Sequence, residues 1–365
     1  MKSLVSKLLV VMAVARLMSV STALAAEKQE AQWVDVTPPK SADETVQIVA
    51  AIPGQNKVVA LSGTPHNGAL DYLWSTTDRG ATWKRAGIGA GSDPLYVFPL
   101  GMLLDPADPN TFWLWGNWIK YAKDYGNYRT KDGGTTIYSY FLAEFEGLSV
   151  DFSDPQRKTM VAGRHESSRA VERSTDGGKN WTPIGKTLPA GSSDSEYPLV
   201  IDSQTYLIGC SFNKYGPQTL KGTPGIFRTV DGGRHWVSVS DKKVFQQPLV
   251  VHGTIYWAFY NGTDGGLLKS TDKGATWTET TPSGLVYTAE PILLPNGSIA
   301  TITAAKTIAV STSGGAPWTT ITSVIPLAKP YGLTYNAAGK AFFVWQKNGS
   351  VERFDYTVIE TGVSR

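Results

Sequence analysis

The stretch that decides the fold is Ser174-Thr175-Asp176-Gly177-Gly178-Lys179-Asn180-Trp181, which has the form Ser/Thr-x-Asp-x-Gly-x-x-Trp. Several copies of one pattern in a chain indicate an internal repeat. Complete copies also lie at 75–83 (with one extra residue), 229–236 and 270–277, and degenerate copies lie at 130–134, without the Trp, and at 311–318, with Ser in place of the Asp.

This motif predicts a tight hairpin between two strands. The Asp side chain accepts backbone N–H groups across the turn, the Gly adopts a positive φ, and the Trp begins the next strand and packs back on the turn. The Asp (or Ser) positions 78, 132, 176, 231, 272 and 313 are 41 to 55 residues apart. That spacing suits a propeller blade of four strands, which takes about 40 to 50 residues.

The composition supports an all-β fold. The 365 residues include 37 Gly, 21 Pro, 16 Tyr and 12 Trp, and these types favour turns (Gly, Pro) and strands (Tyr, Trp). Only 18% of the residues are charged, against about 25% in typical soluble domains. This apolar, aromatic composition excludes a disordered chain or a coiled coil.

We predict a seven-bladed β-propeller of four-stranded antiparallel blades. Six motif copies give six blades, and C-terminal strands near 332–335, 341–345 and 351–356 give three strands of a seventh. The N-terminal segment Trp33-Val34-Asp35-Val36-Thr37 resembles the strands that follow the motifs. It would supply the missing fourth strand, close the ring and remove a free sheet edge. Six blades plus a cap is the alternative.

Residues 1–26 have the pattern of a secretory signal peptide. Three basic residues and no acidic one accompany an apolar stretch from Leu8 to Ala15, and the segment ends in small residues. We therefore expect export to the periplasm or the extracellular space, with residues 27–365 forming a single propeller domain. A retained amphipathic anchor is the alternative.

The formal charge of +3 lies in that N-terminal segment. It holds three of the 34 basic residues and none of the 31 acidic ones, so residues 27–365 carry 31 of each and are formally neutral. The basicity is therefore no evidence for a nucleic-acid partner. Cys210 is the single cysteine, which excludes an intramolecular disulfide and predicts a buried thiol.

With these repeats the chain resembles the Asp-box (BNR) propellers of the sialidase-like superfamily. Sialidases, xyloglucanases, several polysaccharide lyases, sorting receptors and a photosystem assembly factor share such repeats, so the resemblance implies a fold more than an activity. It places the turn motifs at the blade periphery. Ligands are expected at the loops that enter the inner strands and at those that join second to third strands.

The resemblance does not extend to the substrate-binding arginines of a true sialidase. That family carries an Arg-Ile-Pro motif near its N-terminus, which is absent here, and Phe227-Arg228-Thr229-Val230 merely leads into a turn motif. The predicted inner strands contain no Arg. Hydrolysis of sialic acid is therefore disfavoured.

Arg164-His165-Glu166 suggests instead a lyase acting on a uronate-containing glycan. An Arg or Lys pairs with the uronate carboxylate and acidifies the adjacent C–H, and a His or Tyr removes that proton. This is β-elimination, the reaction of the propeller-type lyases that the chain resembles. The predicted catalytic residues are His165, Tyr215 and Arg164, with Tyr215 as the acid.

The substrate-binding residues that we predict are the polar and aromatic side chains of the same loops: His66 (also a second base candidate), Trp118, Lys120, Tyr121, Glu166, Glu196, Asn213, Lys214, Tyr260 and Glu290. Further candidate loop segments include Gln246-Gln247, Tyr287, and Lys329 with Tyr331.

Two other functions stay open. An exo-glycosidase of the sialidase superfamily needs two carboxylates about 5 to 9.5 Å apart, for which Glu166, Glu196 and Glu290 are the candidates; the sequence does not give the distances between them. A non-catalytic periplasmic binding or assembly propeller is the third hypothesis. No zinc-ligand spacing, phosphate loop or Gly-x-Ser-x-Gly elbow occurs, so we predict no cofactor and no metal. The expected partner is an acidic oligosaccharide or polysaccharide, and we expect a monomer with no stable membrane anchor.

Overall fold

The computed structural model describes the following residues: 32–39, 45–63, 72–85, 98–117, 127–136, 138–141, 145–164, 167, 169–190, 192, 194–211, 224–346 and 349–358. Within them the chain forms seven antiparallel sheets arranged as the blades of a β-propeller. The predicted fold is confirmed, and the six-bladed alternative is wrong.

The strands follow one another in blade order around the ring. The chain begins with β1 (Trp33–Asp35). Blade 1 contains β2 (Thr45–Ala51), β3 (Val58–Gly63), β4 (Tyr72–Thr76) and β5 (Lys84–Arg85). Blade 2 contains β6 (Phe98–Leu104), β7 (Phe112–Asn117), β8 (Asn127–Thr130) and β9 (Tyr138–Phe141). Blade 3 contains β10 (Phe145–Val150), β11 (Met160–Arg164), β12 (Val171–Ser174) and β13 (Thr182–Pro183). Blade 4 contains β14 (Asp194–Val200), β15 (Tyr206–Ser211), β16 (Gly225–Thr229) and β17 (Val237–Ser240).

The inner strand of blade 5 is divided in two, and a single 3-10 turn at Gly185–Thr187 is the only helical element among the described residues. Blade 5 contains β18 (Lys243–Val244), β19 (Leu249–Val251), β20 (Thr254–Tyr260), β21 (Gly265–Ser270) and β22 (Thr278–Leu285). Blade 6 contains β23 (Ile292–Leu293), β24 (Ile299–Ile302), β25 (Ile308–Ser311) and β26 (Thr319–Thr320). Blade 7 contains β27 (Pro330–Asn336), β28 (Ala341–Gln346), β29 (Val351–Asp355) and β1.

The N-terminal strand closes the ring, as the sequence predicts. β1 pairs antiparallel with β29, with Trp33 opposite Phe354 and Asp35 opposite Glu352. The pairing continues past the strand, because the backbone N–H of Val36 donates to the carbonyl of Val351 at 2.9 Å. The last blade is therefore built from strands near both ends of the described chain, and β1 pairs with the otherwise open edge of β29.

The turn motif folds as a hydrogen-bonded hairpin. In blade 1 the Oδ1 of Asp78 accepts the backbone N–H of Thr82 at 2.9 Å, and Gly80 has φ +83°. The hydroxyl of Thr76 accepts the Gly80 N–H and donates to Asp78. Thr76 is therefore the equivalent of Ser174, and the extra residue that we assigned to this copy lies outside the motif.

The motif tryptophans reach the neighbouring blade rather than their own turn. The indole N–H of Trp236 in blade 4 donates to the carbonyl of Ile184 in blade 3 at 2.8 Å. Trp318 in blade 6 donates to Thr281 in blade 5 at 2.7 Å. Only Trp181, among the described residues, donates to its own turn in the way that we expected. The repeat therefore also joins neighbouring blades through the hydrogen bonds of its tryptophans.

The blade ends define two faces of the propeller. Neighbouring strands are antiparallel, so the turn motifs and the loops from first to second strands lie at one end of each blade. We call this the turn face. The loops from second to third strands and those that enter the next blade lie at the other end, which we call the entry face.

Candidate functional site

The inner strands of five blades carry a β-bulge close to the entry face. In each, the pairing with the second strand shifts register by one residue, for example between Phe145 and Gly147. A bulge leaves one residue unpaired and re-aims its side chain. The extra residues are Gln47, Leu100, Glu146, Glu196 and Tyr331.

Blades 5 and 6 break the inner strand at the same place in the blade. Between β18 and β19, four residues from Phe245 to Pro248 face two residues of β20, and Gln246 has φ +58°. In blade 6, Glu290 lies two residues before the first residue of β23. Every blade thus has an irregular inner strand here, which permits polar side chains to face the central channel.

Buried tryptophans hold the bulges in place. The indole N–H of Trp115 in blade 2 donates to the carbonyl of Glu146 in blade 3 at 3.0 Å, and Trp345 in blade 7 donates to Gln47 in blade 1 at 3.1 Å. The Trp115 ring covers Gly101, where an added Cβ would lie only 2.0 Å from it. The glycine is therefore required by the close approach of the ring.

Side chains from different blades meet in the channel. The Nε2 of Gln246 in blade 5 donates to the hydroxyl of Tyr331 in blade 7 at 2.7 Å. The backbone N–H of Gln247 donates to Oε1 of Glu290 in blade 6 at 3.1 Å. Together with the blade 3 and blade 4 residues described next, these form what we call the channel cluster: Glu146, Glu196, Tyr197, Gln246, Gln247, Glu290 and Tyr331.

Tyr197 shows how closely the cluster is packed. Its pKa is raised by burial, and further by the charges of Glu196, Tyr331 and Glu146, with its hydroxyl hydrogen-bonded to Glu196. These residues belong to blades 3, 4 and 7. Polar groups of three blades therefore interact at this level of the propeller, and we refer to them as the polar floor below the entry face.

Among the glutamates of the channel cluster, Glu290 has a raised pKa. Burial raises its pKa from 4.5 to about 7, although the Gln247 N–H opposes the shift by favouring the carboxylate. A carboxyl group with that pKa carries a proton for a large fraction of the time at neutral pH. This is the property of a general acid in glycoside hydrolysis.

An aromatic cluster lies beside the channel cluster at the entry face. Phe245, Tyr260 and Tyr287 contact one another, with ring centroids 4.9 to 6.4 Å apart. The ammonium group of Lys243 lies 5.8 Å from the Tyr260 ring centroid. Phe245 directly precedes Gln246, and Tyr287 lies three residues before Glu290. Two of the three rings are therefore near neighbours in sequence of polar residues of the channel cluster.

Three of the predicted site residues occur in these two clusters. Glu196 and Glu290 belong to the channel cluster, and Tyr260 belongs to the aromatic cluster. Arg164 is half-exposed at the end of β11, where its Nε donates to Glu172 at 2.7 Å. The other nine lie outside the described residues: His66, Trp118, Lys120, Tyr121, His165, Glu166, Asn213, Lys214 and Tyr215.

Sequence reasoning missed Glu146, because it lies in none of the loop segments that we chose as candidates. The available signal was a large residue followed by glycine at the start of an inner strand. This pair recurs as Leu100-Gly101, Glu146-Gly147 and Tyr331-Gly332, at the bulge in each case. A Gly inside a strand pattern marks a bulge or a close backbone approach.

The described ranges contain neither an evident metal site nor a membrane-spanning helix. No group of three or more His, Cys, Asp or Glu side chains there is arranged to hold a metal ion. In the same ranges, no helix is long and apolar enough to cross a membrane.

The chain is similar to known proteins both in sequence and in fold. No family model matches the chain. A xyloglucanase from Paenibacillus sp is 26% identical over 248 residues, which are 58% of this chain and 23% of that protein. The GH74 xyloglucanase structure from Xanthomonas campestris has a TM-score of 0.55 and 17% identity over 88% of this chain and 53% of that one. The structure of YCF48 bound to D1 peptide has a TM-score of 0.52 and 15% identity, covering 90% of this chain and 97% of that one.

These findings correct the predicted function. The similar curated protein is a xyloglucanase, which is a glycoside hydrolase, so the prediction of a lyase acting by β-elimination is wrong. The hydrolase alternative agrees better with the relatives. The chain spans about a quarter of the length of the curated relative and about half of the xyloglucanase structure.

Proposed function

We propose that the protein is a glycoside hydrolase whose acid and base are carboxyl groups of the channel cluster. The observation that carries this proposal is Glu290, whose pKa of about 7 suits a proton donor to a leaving glycosidic oxygen. Glycoside hydrolysis pairs such an acid with an ionised carboxylate. Glu146 and Glu196 supply carboxyl groups in the same channel.

The two remaining glutamates take different roles in this proposal. Glu196 is buried and accepts a hydrogen bond from the hydroxyl of Tyr197, so its position within the channel cluster is fixed. Glu146 is only half-buried and extends from blade 3, three blades from Glu290. We assign Glu146 as the carboxylate that activates water or attacks the sugar.

The substrate class is a polysaccharide, with xyloglucan as the first candidate because of the similar curated protein. The aromatic cluster of Phe245, Tyr260 and Tyr287 would stack on sugar rings at the mouth of the channel, and Lys243 would donate hydrogen bonds to hydroxyl groups. The leader-like pattern at 1–26 supports action outside the cytoplasm, where such polymers are found.

The test is release of reducing ends from xyloglucan and other β-linked glucans by the wild-type protein and by Glu290→Gln. Loss of the acid is expected to reduce kcat/KM by about 10²- to 10⁴-fold, the usual contribution of general acid catalysis. Glu146→Gln is expected to give a comparable loss. Glu279→Gln is the matched control, because Glu279 is exposed on β22, where it pairs with Lys242.

Activity that is unchanged in Glu290→Gln would refute the assignment of the acid. Retained binding of a glycan without any release of sugar would instead favour the binding propeller of the third hypothesis. A substrate with an activated leaving group provides a further check, since it needs less help from an acid and should lose less activity in Glu290→Gln.

A further inference from the structure

The side chain of Gln247 carries a buried amide nitrogen that is not hydrogen-bonded. Within the part of the chain that the structure describes, Nε2 of Gln247 is shielded from solvent and donates to no acceptor. Buried N–H groups are nearly always paired, because an unpaired one has given up its hydrogen bonds to water without replacing them. Such a donor lowers the stability of the folded protein, so a role outside folding is the natural explanation for it.

The surroundings of this amide set it apart from other unpaired donors. The indole N–H groups of Trp113 and Trp277 are also buried without an acceptor among the described residues, but both rings pack into apolar clusters between blades. Their packing accounts for their burial. Gln247 belongs to the channel cluster, whose other members are polar, so apolar packing does not explain the position of its amide.

The main chain around Gln247 is held beside Glu290. The Gln247 N–H donates to Oε1 of Glu290 at 3.1 Å. The preceding residue, Gln246, has φ +58°, and its carbonyl accepts the indole N–H of Trp257 at 3.1 Å. Its Nε2 donates to the hydroxyl of Tyr331 at 2.7 Å. A non-glycine residue keeps a positive φ only where its surroundings impose it, so the Gln247 side chain starts from a fixed point.

The side chain of Gln247 extends from there to blade 3. A Cβ added to Gly147 would lie 3.1 Å from Nε2 of Gln247, and Gly147 directly follows Glu146. Gln247 therefore contacts blade 6 through its main chain and approaches blade 3 through its side chain. These are the blades of the two glutamates that we assign as the acid and the second carboxylate, Glu290 and Glu146.

The amide of Gln247 is able to reach a ligand. The residue as a whole is only half-buried, so part of the side chain is accessible. The terminal torsion of a glutamine side chain is broad rather than confined to narrow wells. A rotation about this last bond turns the N–H groups towards a bound molecule without moving the backbone that Glu290 depends on.

The chemistry of the channel cluster favours an uncharged hydroxyl group as the partner of this amide. The cluster contains three glutamates, Glu146, Glu196 and Glu290, and an ionised carboxylate only accepts hydrogen bonds. A uronate carboxylate placed among them would meet like charges. A hydroxyl group both donates and accepts, so it is able to donate to a glutamate while it accepts from the Gln247 amide.

We propose that the carboxamide of Gln247 binds a hydroxyl group of a neutral sugar unit held between Glu290 and Glu146. The identity of the ligand as a glycan rests on the proposed function. The amide N–H donates to the hydroxyl oxygen, and the hydroxyl proton is donated to a glutamate. A hydrogen bond that forms only in the complex accounts for a donor that folding leaves unpaired.

Binding is measured by calorimetric titration with a xyloglucan heptasaccharide, which is neutral. Each protein also carries Glu290→Gln, so that the sugar is bound without being cleaved. Gln247→Met keeps the length of the side chain and the backbone N–H but removes the amide. It is expected to weaken binding about tenfold, the effect of one lost hydrogen bond. Gln156→Met makes the same change at an exposed residue of the turn face and should leave binding unchanged.

Stability separates a binding residue from a structural one. In the wild-type background, Gln247→Met removes a donor that the folded protein leaves unpaired, so it should raise the midpoint of thermal unfolding by about 2 °C. Gln246→Met is the matched comparison, because Nε2 of Gln246 donates to Tyr331, and it should lower the midpoint by a similar amount. A purely structural role for Gln247 predicts a lower midpoint for both variants.

Unchanged affinity in Gln247→Met would overturn the inference. A midpoint below that of wild type would also overturn it, because the amide would then already stabilise the fold. Binding of the heptasaccharide by wild type without cleavage would refute the hydrolase alone, since a loss of affinity in Gln247→Met would still support a glycan-binding amide. Cleavage with the same KM in wild type and Gln247→Met would refute the inference and leave the hydrolase intact.

Discussion

Replacing Glu290 by Gln tests the electrostatics of the channel cluster independently of any substrate. The folded state raises the pKa of Glu290 from 4.5 to about 7, so between these pH values the folded protein holds a proton that the unfolded chain has lost. Ionising the carboxyl therefore costs folding free energy. The contribution of Glu290 to stability is fully present below pH 4.5 and is lost as the pH rises through 7.

The magnitude follows from the size of the shift. A difference of about 2.5 pKa units at about 1.4 kcal/mol per unit gives about 3 kcal/mol. Glutamine has nearly the same shape and keeps the oxygen that accepts the Gln247 N–H, but it does not titrate. Relative to wild type, Glu290→Gln should therefore gain about 3 kcal/mol of stability between pH 4.5 and pH 8.

The assay is equilibrium unfolding in urea at a series of pH values, with the free energy of unfolding compared between the two proteins at each pH. Taking the difference removes the contributions of all other titrating groups that the substitution leaves unchanged. Glu279→Gln controls for the loss of one acidic residue from the surface. Parallel stability curves for wild type and Glu290→Gln from pH 4.5 to pH 8 would refute the reasoning, because Glu290 would then ionise at its ordinary pKa.

Two further predictions concern the scaffold. Hydrogen bonds from Thr276 lower the pKa of Asp272 to about 2. The stabilising contribution of the Asp272 carboxylate is therefore present above pH 3.8 and is lost as the pH falls towards 2. Asp272→Asn should lose less stability than wild type over that interval in acid-unfolding curves, and an unchanged acid dependence would contradict this. An alanine at Gly101 would place its Cβ 2.0 Å from the Trp115 ring. Gly101→Ala should therefore lower the free energy of unfolding by about 1–3 kcal/mol, the usual cost of overpacking. Urea unfolding that matches wild type would show that the ring moves aside freely.

The turn motif made the fold predictable because its information is local. The Thr76 hydroxyl hydrogen-bonds both Asp78 and the Gly80 N–H, and all three residues lie within five positions of the chain. The sequence pattern therefore contains all the residues that define this hairpin. The ring closure was predictable for a related reason. A seventh blade without an outer strand leaves an open sheet edge, and only a strand-like segment at the other end of the chain, Trp33 to Thr37, matched what was missing.

The site was harder to predict because it depends on contacts between blades. Glu146 and Tyr331 are separated by about half of the chain, and nothing local marks them as neighbours of Tyr197. The motif tryptophans show the same limit. Their position before the outer strand was predicted, but the partner of Trp236, the carbonyl of Ile184, lies in another blade.

The bulges connect the scaffold to the site. A regular inner strand alternates its side chains between its two faces, which gives both faces to the packing between neighbouring blades. One extra residue at each bulge falls outside this alternation, and the glycine that follows Glu146 lets the neighbouring blade approach closely. An added Cβ on Gly147 would lie 2.0 Å from the Glu196 carbonyl oxygen. The same bulge that brings blades 3 and 4 together thus places two carboxylates close to one another, and it accounts for a cluster of acids in a ring whose blades are joined by apolar contacts and by hydrogen bonds from the motif tryptophans.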